Sequence, residues 1–212
     1  FNDKFNQGSY IQYLEGRSAS VVPAPLSLYV HLPFCASICY YCGCNKIITK
    51  DHGRSAKYLR YLEKEMQLVS AHLHGERKVV QLHFGGGTPT FLSAQELQQL
   101  MAMLRAHFDF AAEAELSIEI DPRTVDDSML GMLAELGFNR TSLGVQDFDP
   151  AVQAAVNRIQ PIAMVEHAIK ASRAAGFVSV NFDLIYGLPK QNLSSFSNTL
   201  DEVIRLSPDR IA

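Results

Sequence analysis

Short apolar runs that alternate with segments of helical period constrain this chain more than any other feature. Residues 26–32 (LSLYVHL) and 79–84 (VVQLHF) read as the first two strands, and 116–120 (LSIEI), 141–145 (TSLGV) and 178–185 (VSVNFDLI) as the next three. Residues 210–212 would open a sixth. Such runs, bounded by Gly and Pro, suit strands buried on both faces of a sheet. Between them, Leu59, Leu62, Met66, Val69 and Leu73 recur at steps of three and four and mark one buried helical face. Ser93-Ala-Gln-Glu96 is a capping-box sequence that leads into Leu97, Leu100, Met101 and Leu104. Asp126 or Asp127 can cap a helix through Met129, Leu130, Leu133 and Leu136, with Gly137 ending it. Val165, Ala168, Ile169 and Ser172 form another face, closed by Gly176, and Phe196, Leu200, Val203 and Ile204 form the last before Pro208.

Strand–helix units in this order imply parallel pairing through right-handed crossovers. The pattern admits either an open barrel or a doubly wound sheet. No linker or repeat marks a domain boundary. The chain opens at Phe1 without a signal peptide and stops as a strand begins, so the expected reading is a fragment of a longer protein.

All four cysteines fall within ten residues, from Cys35 to Cys44, in the loop after the first strand. A disulfide framework would spread them along the chain, so this cluster predicts a metal site in a reducing compartment. Cys35, Cys39 and Cys42, at spacings of four and three, can wrap one face of a cubane iron–sulfur cluster and leave one iron without a protein ligand. An iron left open can take a chelating amino and carboxylate group. Structural zinc is the competing reading, but it usually needs a second Cys/His pair after a longer spacer, and none follows. A net charge of −3 and a pI near 6.2 give no reason to expect nucleic acid or anionic lipid. The most apolar stretch, residues 21–42, is broken by Pro23, Pro25 and Pro33 and carries His31, so no membrane span is expected and the cytoplasm is.

In parallel α/β folds the chemistry gathers at the carboxyl ends of strands. The unusual polar groups fall there: the cysteine loop after strand one, Gly85, Gly86 and Gly87 after strand two, Glu119 and Asp121 ending strand three, Gln146 after strand four and Asp183 late in strand five. Three glycines can bring backbone close to a ligand or simply make a turn. Glu119 can meet a ligand ammonium or a basic residue, Asp183 and Arg158 can pair with each other, and Gln146 can serve loop backbone. No Gly-Lys-Ser/Thr follows the glycines, so a nucleotide-triphosphate loop is not expected. His31 and His83 read as barrel-interior, His72 and His74 as solvated, and Tyr58, Tyr61 and the Phe residues at helical spacing as core.

Cys-x3-Cys-x-aromatic-Cys, with Tyr41 at the aromatic position, resembles the radical S-adenosylmethionine (SAM) signature. The added Gly43-Cys44-Asn45-Lys46 and residues 29–34 (YVHLPF) resemble oxygen-independent coproporphyrinogen III oxidases, as do residues 85–90, 118–123, 144–148, 157–158 and 183–190. That family often has Phe where Tyr41 stands. The resemblance implies a partial (β/α)6 radical-SAM barrel truncated at the start of strand six, with residues 1–25 as an N-terminal extension, 26–212 as the incomplete barrel and a C-terminal domain absent. It implies catalytic, cluster-ligating Cys35, Cys39 and Cys42 on a 4Fe–4S cluster. Tyr29, Gly86 and Glu119 would contact the SAM on that cluster, and a second SAM would lie near Tyr41, Gly87, Thr88, Gln146, Arg158 and Asp183. The implied reaction is oxidative decarboxylation of two propionates of coproporphyrinogen III to vinyl groups, with flavodoxin or ferredoxin as electron donor and a monomer as the full-length state. Arg123 and Arg158 are the cations near strand ends that could meet propionates. A haem chaperone or a radical-SAM methyltransferase on the same scaffold are the alternatives, although relatives of both kinds usually differ after Cys42.

Overall fold

The computed structural model describes residues 4–18, 24–73 and 78–212; His74 and residues 21–23 of the apolar stretch lie outside them. In chain order its elements are α1 (Gln7–Ser18), β1 (Leu26–Leu32), β2 (Phe34–Cys35), β3 (Ile47–Ile48), α2 (Gly53–Ala71), β4 (Lys78–Gly86) and α3 (Ala94–His107). There follow β5 (Asp109–Ile120), α4 (Asp127–Glu135), β6 (Arg140–Gln146), α5 (Pro150–Ala155), α6 (Ile162–Ala174), β7 (Ser179–Leu184), α7 (Leu193–Leu206) and β8 (Arg210–Ile211).

Six parallel strands make one sheet in the order β1-β4-β5-β6-β7-β8. Each new strand adds to the same side of the one before, so right-handed crossovers place the connecting helices on one face. A doubly wound sheet reverses its strand order at a switch point, and this sheet does not. The ambiguity in the sequence pattern therefore resolves to an incomplete (β/α)6 barrel. Its outer layer is the core: Phe84, Ile118, Leu143 and Val145 on the strands and Leu97, Leu100 and Met101 on α3 are fully buried. Phe84 meets Phe138 edge-on at 5.0 Å between ring centres.

Local signals formed as expected where they are short-range. The Ser93–Glu96 capping box is complete at the start of α3, and Asp126, not Asp127, caps α4 by accepting from the Met129 N–H at 2.8 Å. Other features needed the tertiary structure. β5 begins at Asp109, seven residues before the expected strand, because the Ala- and Glu-rich start pairs with β4 and Glu115 meets Arg140 at 2.9 Å. On α7 the buried stripe is Ser195, Thr199, Val203 and Leu206, while Leu200 is exposed and Ile204 is 73% exposed. The stripe rotates because Thr199 donates to Asp147 at 2.9 Å and receives the Phe148 N–H at 3.1 Å. Tyr61, expected in the core, is exposed beside the Lys64 ammonium, and Tyr58 is half-buried with its hydroxyl on the His31 carbonyl at 2.6 Å. His72, expected in solvent, lies 3.0 Å from Glu15 of α1.

Candidate active site

The cysteine loop is tied down at its base. β2 and β3 pair in parallel, with the Ile47 N–H on the Pro33 carbonyl at 2.7 Å and the Thr49 N–H on the Cys35 carbonyl at 2.9 Å. Its far side is held by the stretch after α5. The Tyr40 N–H donates to Val156 at 3.0 Å, and the Asn157 side-chain amide donates to Ile38 at 2.7 Å. Within the loop the Lys46 ammonium donates to the Cys42 carbonyl at 2.7 Å. Cys35, Cys39 and Cys42 are partly buried free thiols and Cys44 is exposed.

All four thiols line one cavity of about 330 Å³ inside the barrel. Among the described residues, no three His, Cys, Asp or Glu side chains close around a single metal ion. Three cysteines at these spacings, with no second Cys/His pair following, suit an iron–sulfur cluster better than a tetrahedral zinc ion. Donors also point at the sulfurs. The Thr88 hydroxyl lies 3.6 Å from Cys35 Sγ, Arg158 Nη1 lies 3.6 Å from Cys39 Sγ, and Arg123 Nη2 lies 3.8 Å from it. Burial, then the neighbouring Cys42 and Cys39, push the Cys35 thiol up, and burial with a hydrogen bond to Cys42 does the same for Cys44. A cluster cation reverses this by ionising the thiols that coordinate it. The donor set therefore fits an iron–sulfur cluster.

The ends of the strands furnish the rest of the wall. At the end of β4 the backbone must come close: Gly86 has φ +114°, and a Cβ at Gly87 would sit 2.7 Å from the Pro33 carbonyl carbon. Glu119 accepts the Gly86 N–H at 3.1 Å, and its other oxygen is 3.2 Å from His83 Nε2. His83 in turn meets Ser117 Oγ at 2.6 Å, so the basic partner left open for Glu119 is this histidine. Gln146 takes φ +66° at a bulge between β6 and β7, a left-handed conformation that turns the chain at the cavity wall. Asp183 accepts from Ser142 at 2.8 Å through both oxygens and from Asn181 at 2.7 Å. Burial raises its carboxyl, and the Glu119 charge adds to that, against the hydrogen bonds from Ser142 and Asn181.

Arg158 does not pair with Asp183. It is buried, donates to Asp121 at 3.1 Å and holds the Gly144 carbonyl at 2.7 Å. Arg123 grips the same carboxylate at 2.7 Å. Burial alone would raise the Asp121 carboxyl, but the hydrogen bonds from Arg123 and the charge of Arg158 hold it below its ordinary value. Both arginines thus line the cavity while sharing this one carboxylate. Tyr41 packs against the Val152, Val156 and Leu188 cluster, and burial raises its hydroxyl.

The cavity gathers every expected site residue except Tyr29. That side chain lies on edge strand β1, lines a second cavity beside α2, stacks on His83 at 5.7 Å and reaches His31 Nδ1 at 3.2 Å. The contributions of His83, Ser117, Ser142 and Asn181 are missed by sequence reasoning. Strand alternation around Glu119 and Asp183 was the available signal, since i and i+2 positions share a face.

Residues 29–203 match the model of the radical SAM superfamily, and the chain belongs to that superfamily. Within it, the chain is 58% identical over 190 residues to the oxygen-independent coproporphyrinogen III oxidase of Pseudomonas aeruginosa, covering 89% of this chain and 41% of that protein. It is 46% identical over 212 residues to the protein of the same name from Escherichia coli (strain K12), covering 100% of the chain and 45% of the relative. The solved Escherichia coli coproporphyrinogen III oxidase, described as a radical SAM enzyme, superposes with a TM-score of 0.92 at 46% identity, covering 100% of this chain and 48% of that one. The chain thus spans less than half the length of these relatives. A radical SAM methyltransferase from Kitasatospora setae shares the fold alone, with a TM-score of 0.62 at 14% identity over 88% of this chain and 36% of that one.

Proposed function

We propose that the protein carrying this chain converts coproporphyrinogen III to protoporphyrinogen IX in haem synthesis by oxidative decarboxylation of two propionates, without oxygen. The observation that carries this reading is the convergence of Cys35, Cys39 and Cys42 with groups from successive parallel strand ends on one cavity. The similarity to proteins named oxygen-independent coproporphyrinogen III oxidase supports that substrate. In this reading the three thiols ligate a 4Fe–4S cluster and Cys44 does not. Tyr29, Gly86 and Glu119 hold one SAM, and Tyr41, Gly87, Thr88, Gln146, Arg158 and Asp183 hold a second. When bound there, a reduced cluster with SAM would supply the one-electron radical chemistry that a propionate decarboxylation needs.

The chain's residues position and shelter that chemistry. Glu119, oriented by the Gly86 N–H and His83, offers a fixed acceptor for an ammonium or ribose hydroxyl. Asp183, oriented by Ser142 and Asn181, offers another across the cavity. Tyr41, backed by the buried Val152, Val156 and Leu188, puts an aromatic face on the cavity.

Residues 1–25 serve as an extension on the barrel residues 26–212: Leu14 packs on the core and Glu15 bonds His72. Four free thiols favour the cytoplasm as compartment, and no helix among the described residues is long and apolar enough to cross a membrane. A flavodoxin or ferredoxin as reductant and a monomeric state complete the reading. The test is anaerobic turnover of the reduced protein with coproporphyrinogen III and SAM, read by mass spectrometry. Protoporphyrinogen IX with SAM consumption is expected. Stable haem binding without carbon dioxide release, or a methylated product, would overturn the proposal.

A further inference from the structure

Arg123 has no part in the reading above, yet Asp121 holds it at three nitrogens, the backbone N, Nε and Nη2. Asp121 caps the turn Pro122–Thr124 by accepting the Arg123 N–H at 3.0 Å. The same carboxylate accepts Arg123 Nε at 3.0 Å and Nη2 at 2.7 Å. Arg158 closes on it at 3.1 Å. Both guanidinium groups then reach Cys39 Sγ, at 3.8 Å from Arg123 and 3.6 Å from Arg158. Two cations share one carboxylate, so one positive charge stays uncompensated beside this sulfur. Asp121 and Arg158 are 8% and 7% exposed, where water screens charge poorly. Cys35 Sγ, by contrast, accepts from the neutral Thr88 hydroxyl at 3.6 Å.

Net charge and hydrogen bonds to the sulfurs are what set the potential of an iron–sulfur cluster. We infer that Asp121 and Arg123 are positioning residues that, with Arg158, clamp positive charge on the Cys39 sulfur and so raise the reduction potential of the cluster. The inference rests on the cluster assigned to Cys35, Cys39 and Cys42. Reduction adds one negative charge to the cluster, and a fixed cation at a ligand sulfur favours that state.

The experiment is a spectroscopically monitored redox titration of the anaerobically reconstituted protein, with iron counted in each sample. Arg123→Gln, which deletes the charge, should load iron as the wild type does. Its equilibrium constant for reduction should fall about tenfold, a shift of about 59 mV for a one-electron couple. Arg123→Lys, which keeps the charge, should stay within about threefold of wild type. An iron-loaded Arg123→Gln protein with unchanged potential overturns the inference, as does a Lys variant that shifts as far as Gln. If Gln alone loses iron, the charge serves to hold the loop and the redox role is overturned. Loss of iron from both assigns the clamp to holding the loop and overturns the redox role. A wild-type protein that takes up no iron sinks the cluster reading itself, a result distinct from all of these.

Discussion

Gly87→Ala should destabilise the protein by moving backbone, not side chains. The new Cβ would lie 2.7 Å from the Pro33 carbonyl carbon and 2.8 Å from the Pro33 and Phe34 oxygens, where ordinary contact begins at 3.4 Å. The deficit is therefore 3.4 minus 2.7, or 0.7 Å, against atoms with no rotamer to escape into. The two segments are bonded at this very place, Gly87 N–H to Leu32 at 2.9 Å and Thr88 N–H to Phe34 at 2.8 Å. Relief must stretch one of those bonds or shift the segment that carries Cys35. Overpacking of this kind costs about 1–3 kcal/mol. With a urea m-value of about 2 kcal/mol per molar, the unfolding midpoint should fall by about 0.5–1.5 M. Gly131→Ala is the control with opposite sign, since Gly131 lies inside α4 and a Cβ there meets nothing within 4 Å. That change should stabilise by up to about 1 kcal/mol through helix propensity. Equal urea midpoints for Gly87→Ala and wild type, or a comparable loss in Gly131→Ala, would refute the steric argument.

Other expectations follow from the same geometry. Cys35→Ala, Cys39→Ala and Cys42→Ala should each abolish iron uptake on anaerobic reconstitution, whereas Cys44→Ala should keep the cluster and lose turnover; equal iron loss in Cys44→Ala would make all four thiols ligands. Glu119→Gln and Asp183→Asn should weaken SAM binding by about tenfold to a hundredfold, the worth of a charge-assisted hydrogen bond, with iron content unchanged. Calorimetric titration with SAM checks this, and wild-type affinity in both would assign the carboxylates to structure. Asp121→Asn leaves the buried Arg158 without its counter-charge and should cost about 3–5 kcal/mol near neutral pH. Because the folded Asp121 carboxyl titrates below its ordinary value of 3.8, its contribution is complete above that pH and is lost as pH falls through the lower folded value. The gap in urea midpoint between wild type and Asp121→Asn should therefore hold from pH 7 to about 5 and narrow only in stronger acid, a gap that closed earlier being the contrary result.

What sequence determined was whatever depends on near neighbours along the chain. Alternating apolar runs and helical periods specified parallel strand–helix units, because side-chain period sets which face is buried. Ser93 with Glu96, and Asp126 before α4, specified caps that form within one turn. Thiol spacing specified a cluster loop, because three donors so close cannot staple distant segments. Tertiary structure decided which of several eligible partners meet. Arg158 finds Asp121, 37 residues away, and not Asp183, since strand register brings the one carboxylate beneath it while Ser142 and Asn181 engage the other. Barrel rather than doubly wound sheet was likewise invisible in the pattern, because both use the same right-handed unit and differ only in the side on which each strand adds. The α7 face turned because Thr199 bonds Asp147. These outcomes rest on contacts between segments far apart in the chain, and periodicity along one segment carries no record of them.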